Sequence, residues 1–208
     1  MQTTQFLLLA GLAAFALSTP AQAVLLVEID GTPGSGQTTW TFSGSDIAGN
    51  GGFFDDDDNL GSADAWQNLG QYTTRNDVEE TDVTGNAVLS IGSETRAIDL
   101  AYIDDDGSTS DDDFGVGVAG PTNFTFTAGD TVSWSGSLLV TGIDLNDLNE
   151  SGLPAVLTAS NYGGTANTLD LEVRIGSSSA VVPLPASLPL LLAGLGALGI
   201  AARRRARA

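Results

Sequence analysis

Hydrophobic and polar residues alternate strictly in several runs between residues 24 and 175, and this period of two predicts β-strands that bury one face. Residues 130–142 and 168–176 show the pattern most clearly, and further strands are predicted at residues 25–29, 87–91 and 114–118. The alternation assigns the following side chains to buried faces: Trp40, Phe42, Ile98, Leu100, Tyr102, Phe124, Phe126, Val132, Trp134, Leu138, Val140, Leu169, Leu171, Val173 and Ile175.

The segments between these runs are rich in glycine, aspartate and asparagine, which are typical of turns. Residues 49–62 and 109–113 are predicted to be surface loops. No helical periodicity of convincing length interrupts the series of some eight to ten strands. The pattern therefore predicts an all-β domain, an antiparallel β-sandwich of jelly-roll-like type, over residues 24–175. Residues 176–181 form a short flexible linker after it.

The first 23 residues have the features of a secretory signal peptide. An apolar stretch runs from Phe6 to Leu17, Pro20 interrupts it, and Ala21 and Ala23 form a small-x-small cleavage site. The stretch is too short to span a bilayer. We therefore expect export, with signal peptidase as a partner. The alternative is a buried N-terminal helix.

Residues 182–208 contain three parts in a fixed order. Residues 182–186 form a proline-containing box, in which the two prolines prevent helix and hold the chain extended. Residues 187–202 form an uncharged apolar run, predicted to be a transmembrane helix about 24 Å long, slightly short for a hydrocarbon core of about 30 Å. An arginine cluster at residues 203–207 then stops translocation and fixes the topology. The box residues are Val182, Pro183, Leu184, Pro185 and Ala186, and the stop-transfer residues are Arg203, Arg204, Arg205 and Arg207.

This order resembles the PEP-CTERM class of sorting signal, in the variant called VPLPA-CTERM. The resemblance covers about the last 27 residues and pairs them with a signal peptide. It implies export by a Gram-negative bacterium and processing by a membrane-embedded exosortase. It also implies membrane anchoring before processing, a cell-surface or extracellular location afterwards, and an association with extracellular polysaccharide and biofilm. The alternative is a tail anchor that is not processed.

The charged and reactive residues of the chain exclude several classes of function. The chain has 26 acidic residues and seven arginines, and no lysine, histidine or cysteine. Between Val24 and Val182 stand all 26 acidic residues and three arginines, a net charge of −23. Nucleic acid is therefore excluded as a partner, because phosphate binding needs basic side chains. A disulfide framework, a thiol nucleophile, a Ser–His pair and the usual zinc site are excluded as well. We expect a protein that is not an enzyme.

Three loops concentrate carboxylates, at residues 55–59, 104–113 and 144–152. Calcium prefers clustered oxygen ligands on turns. The first choice of site is Asp104, Asp106, Asp111 and Asp113, because Gly107 allows a tight turn between the two aspartate triplets. Calcium is thus the one candidate cofactor. The alternative is that these aspartates are solvated turns on an acidic surface.

Two aromatic residues outside any clear alternation, Trp66 and Tyr72, are candidates for an exposed platform that stacks on sugar rings. Trp40 and Trp134 instead lie on apolar strand faces, which predicts core positions. The sequence as a whole predicts an exported, acidic, all-β protein of the cell surface or extracellular matrix with a structural or adhesive role. The alternative is a carbohydrate-binding module for extracellular polysaccharide.

Overall fold

The alternating runs form β-strands, as their period of two predicts. A computed structural model describes residues 24–56, 65–67, 69–75, 78–80 (backbone only), 83–105, 112–150 and 152–176. Across these ranges the chain is all-β, with thirteen strands and no helix. The strands are β1 (Val24–Gly31), β2 (Gln37–Ile47), β3 (Gly52–Phe54), β4 (Ala65–Trp66), β5 (Val78–Glu80), β6 (Val83–Gly85), β7 (Val88–Ile91), β8 (Glu94–Asp104), β9 (Asp113–Val118), β10 (Phe124–Phe126), β11 (Thr131–Thr141), β12 (Ala155–Ala159) and β13 (Leu171–Ile175).

Eleven of these strands form one large sheet in the order β12-β13-β1-β2-β11-β7-β8-β9-β4, with β5 beside β8 and β6 beside β11. The remaining two, β3 and β10, pair with each other. Strand β7 bridges β11 and β8 along one part of their length. Beyond β7, β6 continues the edge of β11 while β5 continues the edge of β8, so the sheet divides there. This division lets the two halves fold face to face, which confirms the predicted sandwich-like class.

Pairing is antiparallel throughout the described strands except between β1 and β13, which run parallel with Leu25 opposite Leu171 and Ile29 opposite Ile175. The alternation did not predict this parallel pair. On the other side of β1, Gly44 of β2 has a φ of 101°, and a Cβ atom there would lie 2.2 Å from the carbonyl oxygen of Val24. Only glycine allows the two strands to approach so closely at this point.

The core lies between the two halves of the large sheet and is rich in aromatic side chains. Trp40 of β2 stacks on Phe114 of β9 with a centroid distance of 5.1 Å, although three strands separate β2 from β9 in the sheet order. Phe42 meets Trp134 edge to face, also at 5.1 Å. All fifteen side chains that the alternation assigned to buried faces are buried. The predicted core is therefore confirmed.

Strand β8 corrects one detail of the predicted faces. Ile98, Leu100 and Tyr102 were assigned to a single face, but a bulge between Ile98 and Leu100 shifts the register. After the bulge, Ala101 joins Ile98 in the main core, while Leu100 and Tyr102 form a separate small cluster with Ala65. A bulge adds one residue to a strand and so exchanges its two faces.

Two predicted surface loops also contain buried residues. Residues 49–62 include β3, whose Phe54 is fully buried. Residues 109–113 include Asp112 and Asp113, which are 0% and 3% exposed. The loop predictions were wrong for these three residues, because the aspartate-rich composition of both segments does not reveal which single residues turn inward.

Candidate functional site

Trp66 and Tyr72, the predicted sugar platform, are both buried, with 0% and 1% of their surface exposed. The indole ring of Trp66 lies 4.7 Å from Tyr162 and 5.7 Å from Trp134 between ring centroids. Its Nε1–H donates to the carbonyl oxygen of Leu169 at 3.0 Å. The prediction of an exposed platform was therefore wrong. Strand β4 has only two residues, too few for the alternation to reveal that Trp66 faces the core.

The hydroxyl of Tyr72 donates to the carbonyl oxygen of Asp113 at 2.6 Å, which ties the segment after β4 to the first residue of β9. Burial raises the pKa of Tyr72 well above its usual value, and the negative charges of Asp112 and Asp113 raise it further. The phenol therefore stays protonated and keeps donating this hydrogen bond over the physiological pH range. Its role is structural.

Replacing Trp66 with alanine should destabilise the domain by about 3–5 kcal/mol, because a fully packed aromatic ring leaves a cavity in the core. Urea denaturation followed by tryptophan fluorescence measures the change, and Val156→Ala on the exposed face of β12 is the matched control. A Trp66→Ala variant as stable as the Val156→Ala variant would contradict the buried position.

The buried side chain of Asp112 holds the backbone around Tyr72 in place through hydrogen bonds. Its Oδ2 accepts hydrogen bonds from the backbone N–H groups of Tyr72 and Thr73, at 2.5 and 2.6 Å. Its Oδ1 is buried and has no hydrogen-bond partner. Burial raises the pKa of Asp112; the two backbone hydrogen bonds oppose this rise, while the charges of Asp105 and Glu150 add to it. The sequence alone did not identify this residue, because nothing in an aspartate triplet shows which member turns inward.

The raised pKa makes a testable prediction about pH. The folded state takes up a proton on Asp112 more readily than the unfolded chain, so Asp112 contributes more stability as the pH falls toward the unfolded value of about 3.9. Asp112→Asn is neutral at every pH and keeps one acceptor oxygen. The stability of Asp112→Asn relative to wild type should therefore be highest near pH 7 and decline as the pH falls, measured by urea denaturation across pH.

Asp112→Ala is the control for this experiment. It leaves two buried N–H groups without an acceptor, and each should cost about 1–3 kcal/mol. A difference between wild type and Asp112→Asn that stays constant with pH would contradict the prediction.

The predicted calcium residues are only partly within the described chain. Asp104 and Asp113 face each other as the last pair of the β8–β9 ladder, and the hydroxyl of Tyr102 donates to Oδ2 of Asp104 at 3.2 Å. Asp106 and Asp111 lie outside the described residues. Among the residues that the structure describes, no three carboxylates are grouped so that they could hold a metal ion. Calcium binding at this loop stays a prediction.

The acidic segment at residues 144–152 contains aspartates that accept hydrogen bonds from backbone N–H groups in turns. The carboxylate of Asp144 accepts hydrogen bonds from the backbone N–H groups of Gly34 at 2.9 Å and Gly36 at 2.7 Å, in the turn between β1 and β2. A third comes from Asn146. These bonds lower the pKa of Asp144. Asp147 accepts from the N–H of Asp144 and pairs with Arg75 at 3.5 Å. These oxygens hold turns together.

The domain ends at the point where the sorting signal is expected to follow. Strand β13 stops at Ile175, and the N–H of Gly176 donates to the carbonyl oxygen of Ile29 at 2.9 Å. Gly176 has a φ of 71°, a left-handed backbone conformation that glycine adopts without steric cost. Within the described residues, no helix is long and apolar enough to cross a membrane. The predicted signal peptide, box, transmembrane helix and arginine cluster all lie outside them.

Comparison with known protein families decides the nature of the tail. The PEP-CTERM protein-sorting motif matches residues 181–205. The chain carries a PEP-CTERM sorting signal. The match contains the whole box at residues 182–186 and Arg203, Arg204 and Arg205, and Arg207 lies two residues beyond its end. No curated protein and no solved structure matches the chain significantly.

The PEP-CTERM signal fixes the route of the protein. It directs export and membrane anchoring, then processing by an exosortase, which leaves the protein at the cell surface or outside the cell. The chain is therefore an exosortase substrate. This confirms the resemblance that the order of box, apolar run and arginines indicated.

Proposed function

We propose that this PEP-CTERM protein is an acidic component of the cell surface or extracellular matrix with a structural or adhesive role, and that it is not an enzyme. The observation that carries the proposal is the sorting motif at residues 181–205, joined to a β-domain that ends at Ile175. Its own part in the sorting reaction is that of a substrate.

The proposed route has two cleavages. Signal peptidase cuts after Ala23, guided by the small residues Ala21 and Ala23. The apolar run at residues 187–202 then holds the chain in the membrane, and the arginine cluster remains on the cytoplasmic side. Exosortase cuts in or near the box, where prolines keep the backbone extended and accessible.

The domain itself supports a structural role more than sugar stacking. The aromatic residues proposed as a platform instead fill the core between the two halves of the sheet. Several carboxylates are engaged in hydrogen bonds to backbone N–H groups, which rigidify loops. The remaining negative charge keeps the exported domain soluble and hydrated. Extracellular polysaccharide remains a proposed partner, through polar surface rather than through Trp66.

Replacing both Pro183 and Pro185 with alanine should allow helix to extend into the box and bury the cleavage site. We expect the uncleaved, membrane-bound form to accumulate in the natural host, seen as a larger band in the membrane fraction after cell fractionation. Pro121→Ala, at an exposed position between β9 and β10, is the matched control and should be processed normally. Normal processing of the double variant would contradict the role of the box.

We also propose calcium binding at the loop that holds Asp104, Asp106, Asp111 and Asp113. Calcium in the range of extracellular modules, about 10⁻⁴–10⁻³ M, should raise the melting temperature more than sodium at equal ionic strength. Replacing Asp104, Asp106 and Asp111 with asparagine should remove the calcium-specific part and keep the general salt effect. Equal melting shifts for calcium and sodium would show that the aspartates are only solvated turns.

A further inference from the structure

A cavity of about 420 Å³ opens beside the first residue of the domain. It is lined by Val24 of β1, by Thr158 and Ser160 at the end of β12, and by Asp170 and Glu172 at the start of β13. The sequence predicts signal-peptide cleavage between Ala23 and Val24. The cavity is therefore the place where the amino terminus of the processed chain begins.

The strand register sets Val24 next to Asp170. Strands β1 and β13 are parallel with Leu25 opposite Leu171, so the preceding residues, Val24 and Asp170, are neighbours. The N–H of Leu25 donates to the carbonyl oxygen of Asp170 at 2.9 Å and fixes this arrangement. Both side chains are half-buried and lie on the outer face of the sheet.

The charges around this position are negative. The N–H of Asp170 donates to Oδ2 of Asp46 at 2.7 Å, which brings a second carboxylate close. Burial raises the pKa of Asp170, and the charge of Asp46 raises it further. Within the described chain, Asp170 has no ion pair: Arg174 pairs with Glu28 and Glu172, and Arg75 and Arg96 pair with other carboxylates. None of the three arginines in the described chain therefore pairs with Asp170.

We propose that signal-peptide cleavage supplies a cation: the new α-ammonium group of Val24 forms an ion pair with the carboxylate of Asp170 in this cavity. Hydrolysis of the Ala23–Val24 bond consumes one water and leaves a carboxylate on Ala23 and an ammonium group on Val24. The precursor has an uncharged amide at the same nitrogen. This proposal rests on the proposed cleavage site. It adds that cleavage creates a positive charge that pairs with a carboxylate at the end of the sheet.

The ion pair has a defined pH dependence. The titratable and charged groups around the ammonium are Asp170, which directly precedes β13, Asp46 of β2, and Glu172 of β13, whose charge is already paired with Arg174. Strand β12 and the residue after it contribute only the hydroxyls of Thr158 and Ser160. These carboxylates should hold the pKa of the α-amino group above its usual range of about 7.7–8.0. The stabilisation should therefore be complete below pH 7 until Asp170 is protonated, and should disappear as the pH rises through the raised pKa.

The composition makes the experiment simple, because the chain contains no lysine and its α-amino group is the sole primary amine. The protein is expressed in an exporting host that lacks an exosortase, so that the tail stays intact, and is purified in detergent. N-terminal sequencing first identifies the terminus. Competitive labelling with an amine-reactive probe over a pH series then gives the pKa of the α-amino group. We expect Val24 at the terminus and a raised pKa. Asp170→Asn should return the pKa toward the usual range.

A second readout uses the same protein after acetylation, which removes the positive charge from the terminus alone. Acetylation at pH 7 should lower the melting temperature of wild type by about 2–4 °C and leave that of Asp170→Asn unchanged. Asp30→Asn, at the opposite end of β1, is the control and should respond to acetylation like wild type. A terminus other than Val24 would show that cleavage occurs elsewhere, and would therefore overturn the proposal. A Val24 terminus with an ordinary pKa and no response to acetylation overturns the ion pair itself and leaves the sorting function intact.

Discussion

The aromatic contact across the two halves of the sheet is the interaction on which the structure depends most. Trp40 and Phe114 come from strands that lie far apart in the sheet order, and their stacking closes one half over the other. Trp66 extends the contact to Trp134 and Tyr162. The chain has no cysteine, so burial of these rings must supply the stabilisation that disulfides provide in many small exported domains.

The second constraint is charge. A net charge of −23 over residues 24–182 opposes compaction, because like charges repel when they are brought together. The fold offsets part of this repulsion, because backbone N–H groups donate hydrogen bonds to individual carboxylates. Asp112 fastens the segment around Tyr72, and Asp144 fastens the turn between β1 and β2. Asp130 accepts from both the N–H and the hydroxyl of Thr127, which lowers its pKa. Acid should weaken the fold at Asp130 and Asp144, because protonation removes these acceptor charges.

The sequence predicted the strands well where the alternation was long. In β11 and β13 every residue assigned to the core is buried, because one face of each strand packs on the opposite half of the sheet. Prediction failed where the structure depends on single residues or on pairing between distant segments. The bulge in β8, the two-residue strand that holds Trp66 and the inward turn of Asp112 all lack a periodic signal.

The sorting tail could be predicted because its information is local. A proline box, an apolar run of fixed length and terminal arginines act in linear order, so they can be recognised without knowledge of the fold. The cavity beside Val24 could not be predicted in this way. It depends on the parallel pairing of β1 and β13, which joins the beginning of the domain to its last strand. The same pairing connects the two ends of the domain that the two proposed cleavages would define.

We propose that this domain reaches the surface as a sorted and trimmed chain. The intact mass of the protein recovered from the surface of its natural host tests this most directly. We predict a mass that lacks residues 1–23 and the C-terminal part from the box onward, including Arg203, Arg204, Arg205 and Arg207. A surface protein whose mass still includes the arginine cluster would contradict it.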